Sequence, residues 1–433
     1  MRYIIFTVLL ALVVITRILQ QYRYTEGLRN GQVVEKTLLI YSKPANFRKT
    51  YVYYSDIFRV ELPDVDQISV GSVVLVKGIV SRYDQDVPNI FMYKKRLIVQ
   101  SYVVLKPSRY SGYYVISLFI SFLSKTREKI RLFFGSSLAY PQNELVLGIL
   151  LGSASSLPVS LTKQLRKVGL THIVSASGYN ISVFLQVFER IFQHFPRAVQ
   201  VFLSLLLVCA YSIMAGLSPS IVRATGMTMQ RLFSITSGKQ YNSLWSLYVV
   251  SCTLLTLRPY YIVDAGFLLS FFATGCLSLL HPIEQYAKVR LGDSLFTGLI
   301  NLFITCSCIS ISTAPIILAI SGEFSPYGIA ANIFSLWIIN PILWLSLTMT
   351  WLVFFNVQAK LLFVPLAELL DLFLKLVRFF SSIAERGFVF KNVSFRHLLI
   401  WFLLSYSLIF SAYLCAKKLL RSQKMKILAV GIS

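Results

Sequence analysis

Charge is scarce in these 433 residues: Asp, Glu, Lys and Arg make up 14%, whereas hydrophobic residues make up 56%. A soluble globule carries about 25% charged residues. Too few remain here to coat a water-facing shell, so the chain reads as a membrane protein. Acidic residues are scarcer still, 18 against 42 Lys and Arg, which leaves a net charge of +24. A surface so biased attracts polyanions, and anionic lipid headgroups and nucleic acid both fit. Only four histidines occur, and His172, His194, His281 and His397 are scattered without metal-ligand spacing. No metal and no cofactor is expected. None of the six cysteines falls in the polar N-terminal region, which speaks against a disulfide framework. Cys306 and Cys308 point to different faces of a helix and read as buried small apolar groups. Heptads and glycine repeats are lacking too, which excludes coiled-coil and collagen-like classes.

The apolar run that is present first is Tyr3 to Leu19, interrupted by Arg17 and without a small-x-small cleavage site before Gln20. It reads as a retained anchor helix, with a cleaved signal peptide as the alternative. From Arg23 to Arg109 the character changes: 14 basic and 8 acidic residues surround short β-branched or aromatic runs at Thr37–Tyr41, Thr50–Ser55, Ser72–Ser81, Asn89–Tyr93 and Leu97–Leu105. Turn signals such as Pro63-Asp64 separate them. Gly78 interrupts the longest run, where a closed barrel needs a bend or bulge. An OB-like barrel follows. Aromatics such as Tyr51, Tyr53, Phe91 and Tyr93 interleave with Arg48, Lys49, Arg82, Lys94, Lys95 and Arg96. Single-strand binding uses that combination, and aromatic barrel core is the competing explanation.

Beyond Tyr113 the chain is predominantly apolar. Tyr113–Leu123 is too short to cross and is followed by Lys125, Arg127, Lys129 and Arg131, so an interfacial amphipathic helix is expected. Leu145–Leu151 and Leu161–Val168 also read as helices lying at, or dipping into, the interface. Ala198–Gly216, Tyr241–Leu257, Leu295–Ile320 and Leu398–Ala416 are uncharged runs of 19, 17, 26 and 19 residues, near the length a crossing needs. Phe324–Ala359 holds 36 uncharged residues, broken by Asn340-Pro341 into two helices or one broken one. His172–Phe192, Val222–Phe233 and Ile262–Leu280 add spans that carry polar residues. In Leu361–Phe380, Glu368, Asp371, Lys375 and Arg378 share one helical face, which lies on the membrane surface or looks into an aqueous passage. The tail, with Lys417, Lys418, Arg421, Lys424 and Lys426, is expected to be cytoplasmic, although Arg386, Lys391 and Arg396 weaken the contrast. The whole reads as a polytopic α-helical membrane protein with about eight to ten membrane helices, plus interfacial helices and a small N-terminal extracytoplasmic OB-like β-barrel. Its expected parts are an anchor (1–22), a β domain (23–110), short and interfacial helices (111–170), a polytopic domain (171–416) and a basic tail (417–433).

Four ordered blocks are the most specific feature. The first runs from Leu147-Gly-Ile-Leu-Leu-Gly152 through Gly169-Leu-Thr-His172 to Ser175-Ala-Ser177-Gly178-Tyr-Asn180. The others are Ser218-Pro219-Ser220-Ile-Val-Arg223-Ala224, Asp264-Ala-Gly266-Phe267-Leu-Leu-Ser270-Phe271, and Thr313-Ala-Pro315 with Gly328–Asn332 and Asn340-Pro341. Together they resemble the competence domain of the ComEC family, and with the OB-like region that precedes that domain in the family the resemblance covers about residues 20 to 345. The resemblance implies a channel in the bacterial cytoplasmic (inner) membrane that admits single-stranded DNA during natural transformation. It also implies a separate DNA receptor, nuclease and cytoplasmic ATP-driven motor as partners, with anionic lipids around it; the number of subunits is left open. Asn180 stands where the family pattern has its second histidine. Many members continue into a metallo-β-lactamase-like domain, but this chain has no His-x-His-x-Asp cluster, so a channel without nuclease activity is expected.

The residues themselves fit that role without demanding it. Ser175, Ser177 and Gly178 permit an unwound segment lining water, or close small-residue helix packing. Arg223 and Asp264 open two helical segments. At bilayer depth Arg223 would guide phosphates or pair with Asp264; nearer the surface, both would snorkel to headgroups. The rival readings are a lipid or small-solute transporter, an assembly protein and an intramembrane enzyme. For the enzyme, Ser160-Leu-Thr-Lys163 and Ser177 lack the companion motifs of known serine chemistry.

Overall fold

The computed structural model describes residues 2–27, 32–39, 45–47, 50–55, 58–62, 73–81, 95–105, 112–152, 157–174, 177–292, 294–354, 360–387, 389–391 and 393–430. Arg48, Lys49, Arg82, Lys94 and Ser175 lie outside them, as does the strand expected at Asn89–Tyr93.

The anchor sequence forms α1 (Arg2–Gly27). Six strands follow: β1 (Val33–Leu39), β2 (Ala45–Phe47), β3 (Thr50–Ser55), β4 (Phe58–Leu62), β5 (Val73–Ser81) and β6 (Lys95–Leu105). Their sheet order is β1-β5-β6-β4-β3-β2, antiparallel except for the β4–β6 pair. Val74, Val76 and Val80 are buried while Lys77 is exposed, the period-two alternation of a half-buried strand. The register slips between Lys77 and Gly78, so the bend expected at Gly78 is present as an irregularity. β4 was not among the expected strands, although Phe58, Val60 and Leu62 alternate with Arg59 and Glu61.

The helical part comprises α2 (Gly112–Ser137), α3 (Gln142–Leu151), α4 (Val159–Lys167), α5 (Thr171–Val174), α6 (Gly178–Ile191), α7 (Arg197–Met214) and α8 (Pro219–Thr236). It continues with α9 (Ser243–Leu257), α10 (Ala265–Leu291), α11 (Leu295–Ser321), α12 (Gly328–Phe354), α13 (Lys360–Arg386) and α14 (Phe395–Val430). Among the described residues, five stretches are long and apolar enough to cross a membrane: Arg197–Met214, Ala265–Leu291, Leu295–Ser321, Gly328–Trp351 and Arg396–Leu420. Leu9–Gln21, Gln142–Leu151 and Ser243–Leu257 are shorter apolar helices. The expected span at Tyr241–Leu257 is thus clipped to 15 residues, because the Asn242 side chain accepts a hydrogen bond from the Trp245 amide and starts the helix there.

Two further expectations, on α2 and α12, need correction. Helix α2 does not stop at Leu123 but runs on through Lys125–Arg131. Ile120, Leu123, Thr126, Ile130 and Phe134 are buried at helical spacing, so the charges fall on its other faces. Helix α3 packs inside the protein: every residue from Leu145 to Leu151 is buried, as a short apolar segment without a polar face must be. Helix α12 continues through Pro341 without dividing.

Helix directions follow from the contacts. The Tyr248 hydroxyl donates to the Thr7 carbonyl (2.8 Å) and Arg17 Nε to that of Thr256 (3.2 Å), so α1 and α9 run parallel. Arg17 thereby satisfies a last-turn carbonyl of α9. Phe272 stacks edge-on against Phe402, while Leu279 and Leu280 cluster with Ile409, so α10 and α14 are also parallel. Thr305 Oγ1 donates to Glu284 (2.6 Å) across the antiparallel α10–α11 pair. A two-stranded clip, β7 (Glu323–Phe324) with β8 (Phe390–Lys391), joins the loop after α11 to the loop before α14. The largest apolar cluster unites α2, α3, α4, α12 and α13. All six cysteines are free; Cys306 is buried, Cys308 half-buried and Cys415 exposed.

Candidate functional site

Residues from blocks far apart in sequence meet around the C-terminal end of α3. A Cβ on Gly148 would lie 2.5 Å from Val174 Cγ1, so glycine is what lets α3 press against α5. The last carbonyls of a helix look outward for partners, and at the end of α3 the Gly148 carbonyl accepts from the Gly152 amide (2.8 Å). Asn180 Nδ2 donates to the Ile149 carbonyl (2.7 Å), and the Tyr211 hydroxyl donates to that of Leu150 (2.9 Å). The asparagine at the variant position is therefore a buried staple, and an amide serves there where a donor is required. Gly169 ends α4 in the left-handed region (φ 72°), and Leu170 N closes back on the Leu165 carbonyl (2.8 Å). His172 places Nδ1 2.9 Å from the Gly169 carbonyl oxygen.

Helix α5 is described to Val174, and α6 starts at Gly178. Ser177 stands at its N-cap, yet its hydroxyl donates to Asn180 Oδ1 (3.2 Å), and the first-turn amides receive no side-chain cap. The Tyr179 hydroxyl reaches Oδ1 of Asn340, a residue near the middle of α12. The start of α6 thus sits level with the centre of a helix long enough to span. A Cβ on Gly178 would lie 3.0 Å from that of Ala224, so this first turn also abuts α8.

Arg223 is the most unusual side chain of the bundle, with 4% of its surface exposed. Its Nε donates to Ser270 Oγ (2.9 Å), Nη2 also reaches that hydroxyl, and Nη1 lies 3.2 Å from Met227 Sδ. The expected pairing with Asp264 does not form: that carboxylate caps α10 by accepting from the Phe267 amide (2.9 Å), and a Cβ on Gly266 would lie 3.2 Å from it. Pro219 takes the first helical position of α8, whose N-cap Ser218 approaches Ser220 (3.2 Å). The turn ahead of it holds Gly216 at φ 90° and Leu217 at φ 50°. A guanidinium offers five donors; one hydroxyl and one weakly accepting thioether leave it under-satisfied and buried without a carboxylate.

The remaining expected residues are more dispersed. Pro315 is buried within α11, where the Ser312 and Thr313 hydroxyls turn back to the Ile309 carbonyl. Gly328 joins the first block, since a Cβ there would lie 2.7 Å from the Val168 carbonyl oxygen. Lys95 and Arg96 open β6, with Lys95 opposite Phe58 and Arg96 opposite Arg59 and Ser81. Sequence reasoning missed Tyr211 and the hydroxyl pair Ser212–Thr225 that links α7 to α8. A tyrosine and a serine inside an apolar run were the available signals.

The family model described as Competence protein matches residues 149–417. An uncharacterized protein of Aquifex aeolicus (strain VF5) is 24% identical over 186 residues, 41% of this chain and 44% of that protein. ComE operon protein 3 of Bacillus subtilis (strain 168) is 26% identical over 169 residues, 39% of this chain and 21% of that protein. These alignments cover less than half the length of either relative. No solved structure matches.

Proposed function

From the premise that this chain belongs to the competence-protein family, we propose that it conducts a single DNA strand across the cytoplasmic membrane during natural transformation, driven by a separate motor. A strand carries one negative charge per nucleotide. Its route needs water and oriented positive ends in place of hydrocarbon. The observation that carries the geometric part is Arg223, a buried guanidinium held by a hydroxyl and a thioether. The uncapped N-terminus of α6, level with the middle of α12, adds the positive end of a half-helix. Arg223, Ser270 and the segment from Ser177 to Asn180 would then line the path, and the chain supplies passage rather than chemistry.

The β domain lies on the extracytoplasmic side in this reading and the basic tail on the cytoplasmic side. Parallel α1 and α9 put the start of α10 on the side where the β domain begins. Parallel α10 and α14 then send Lys417 and Lys418 to the side of Arg2. That side also receives Lys288 and Arg290, in keeping with basic cytoplasmic loops. The sheet is read as an OB-like barrel: its edge strands β1 and β2 are neighbours in sequence, so one curved strand shared by both edges would close it. Receptor, nuclease and motor are supplied by other proteins.

The test is deletion of the gene, with labelled DNA followed separately at the cell surface and in the cytoplasm. Loss of cytoplasmic arrival with surface binding intact is expected; undiminished arrival would sink the proposal.

A further inference from the structure

Helices α12 and α13 form an antiparallel hairpin of two 27-residue arms. Gly387 lies against Tyr327 near one end, and Phe334 stacks on Phe380 about two turns further in. Because α12 contains a stretch able to span, α13 lies alongside it at bilayer depth and not flat on the surface. Around α13, Leu366, Leu370, Phe373 and Val377 are buried against the bundle, while Leu372 (51%) and Phe379 (60%) are apolar and exposed, as lipid-facing residues are.

The third sector carries Glu368, Asp371, Lys375 and Arg378, all exposed and centred on the middle of the arm. Asp371 accepts a hydrogen bond from Gln142 Nε2 (2.7 Å). No ion pair joins the four to one another among the described residues. Four ionisable side chains cannot rest in hydrocarbon; at that depth they require water or a partner. A second copy of this chain inserted in the same sense would set like charges opposite each other at equal depth, which is repulsive. Water is the occupant that suits both signs.

We propose that the charged sector of α13 lines a water-filled crevice at bilayer depth, and that the crevice is part of the polyanion's route; the second clause rests on the function proposed above. Lys375 and Arg378 lie nearer the β7–β8 clip, so a strand arriving from the β-domain side meets the basic pair first.

The test uses the full-length protein in membranes, with the exposed Cys415 replaced by alanine and single cysteines introduced as Lys375→Cys, Ser382→Cys, Leu372→Cys and Phe379→Cys. Ser382, on the charged side, is the mild substitution should loss of Lys375 impair folding. Membrane-impermeant charged thiosulfonates should label the first two at least about tenfold faster than the last two, since thiolate forms in water and not in lipid. Anionic adducts at Lys375→Cys should lower DNA uptake more than cationic ones. Equal, slow labelling at all four positions overturns the crevice. Fast labelling with uptake indifferent to adduct charge overturns its place on the route and leaves the conducting function standing. If the Cys415→Ala parent delivers no DNA while Lys375→Cys still labels fast, the conducting function fails and the crevice survives.

Discussion

Two halves of the helical bundle are held together by different means. Helices α2, α3, α12 and α13 meet through an apolar cluster in which Phe134, Leu145, Ile149 and Phe373 are almost wholly buried; the hydroxyls of Ser335 and Ser346 are buried there without partners. Helices α7 to α11 add polar pairs to smaller apolar clusters: Ser212 with Thr225, Arg223 with Ser270, Ser243 with Ser278, and Glu284 with Thr305. Between membrane helices there is little hydrophobic drive, and fit or hydrogen bonding must supply association. The first half relies on fit and acts as a frame. The second adds pairing to fit and so carries polar groups within its interior, whereas the charged groups of the frame lie on the outer face of α13. Asn180 and Tyr211 join the two by satisfying the end of α3.

The sharpest way to break this contrast is to add volume to the frame. Gly148→Val should drive Cβ into Val174 and cost about 3 kcal/mol, as overpacking does in a filled core, read as loss of folded protein on size exclusion in detergent. Normal accumulation would mean that α3 and α5 are not tightly packed. Next comes Arg223, where stability and function should separate. Arg223→Ala should lower DNA uptake about tenfold or more, equivalent to roughly 1.4 kcal/mol, at unchanged abundance. Arg223→Met, which removes a buried charge at similar volume, should hold or raise thermal stability while uptake still falls. Unchanged transformation in both variants would take Arg223 off the route.

Smaller effects probe the joints. Asn180→Ala leaves the Ile149 carbonyl unpaired and should destabilise by about 1 to 3 kcal/mol, with Asn180→His restoring most of the loss if a donor is all that is required. A thermal-melt comparison of the two decides it. Least of all, a double-mutant cycle on Ser212→Ala and Thr225→Val should give a coupling of about 0.6 kcal/mol, the average for hydrogen bonds between membrane helices. Zero coupling would remove that link from the polar half.

Much of this contrast is written in local patterns, and the rest depends on partners that no local pattern names. The strand at Thr50–Ser55 and the helices α11 and α14 lie where alternation or uncharged length places them. Gly78, Gly148 and Gly178 mark a register slip and two close approaches, as glycine in strands and membrane helices tends to do. The burial of α3 was not legible, because the seven apolar residues Leu145–Leu151 look alike whether they lie at an interface or inside a core. The choice of Ser270 over Asp264 by Arg223 was hidden too. It is set by how α8 crosses α10 and by the claim of the Phe267 amide on the carboxylate. The continuation of α2 through its charges was readable from the spacing of Ile120, Leu123, Ile130 and Phe134, which a search for uncharged runs passes over.

The central claim is conduction, and its most direct test is made with purified protein in sealed vesicles. Fluorescent single-stranded oligonucleotides are added outside and an inside-positive potential is imposed, worth about 2.3 kcal/mol per charge for each 100 mV. Nuclease-protected label should accumulate in vesicles carrying the wild-type chain and far less in those carrying Arg223→Ala. Vesicles with folded, correctly oriented protein that admit no more oligonucleotide than protein-free vesicles would contradict it.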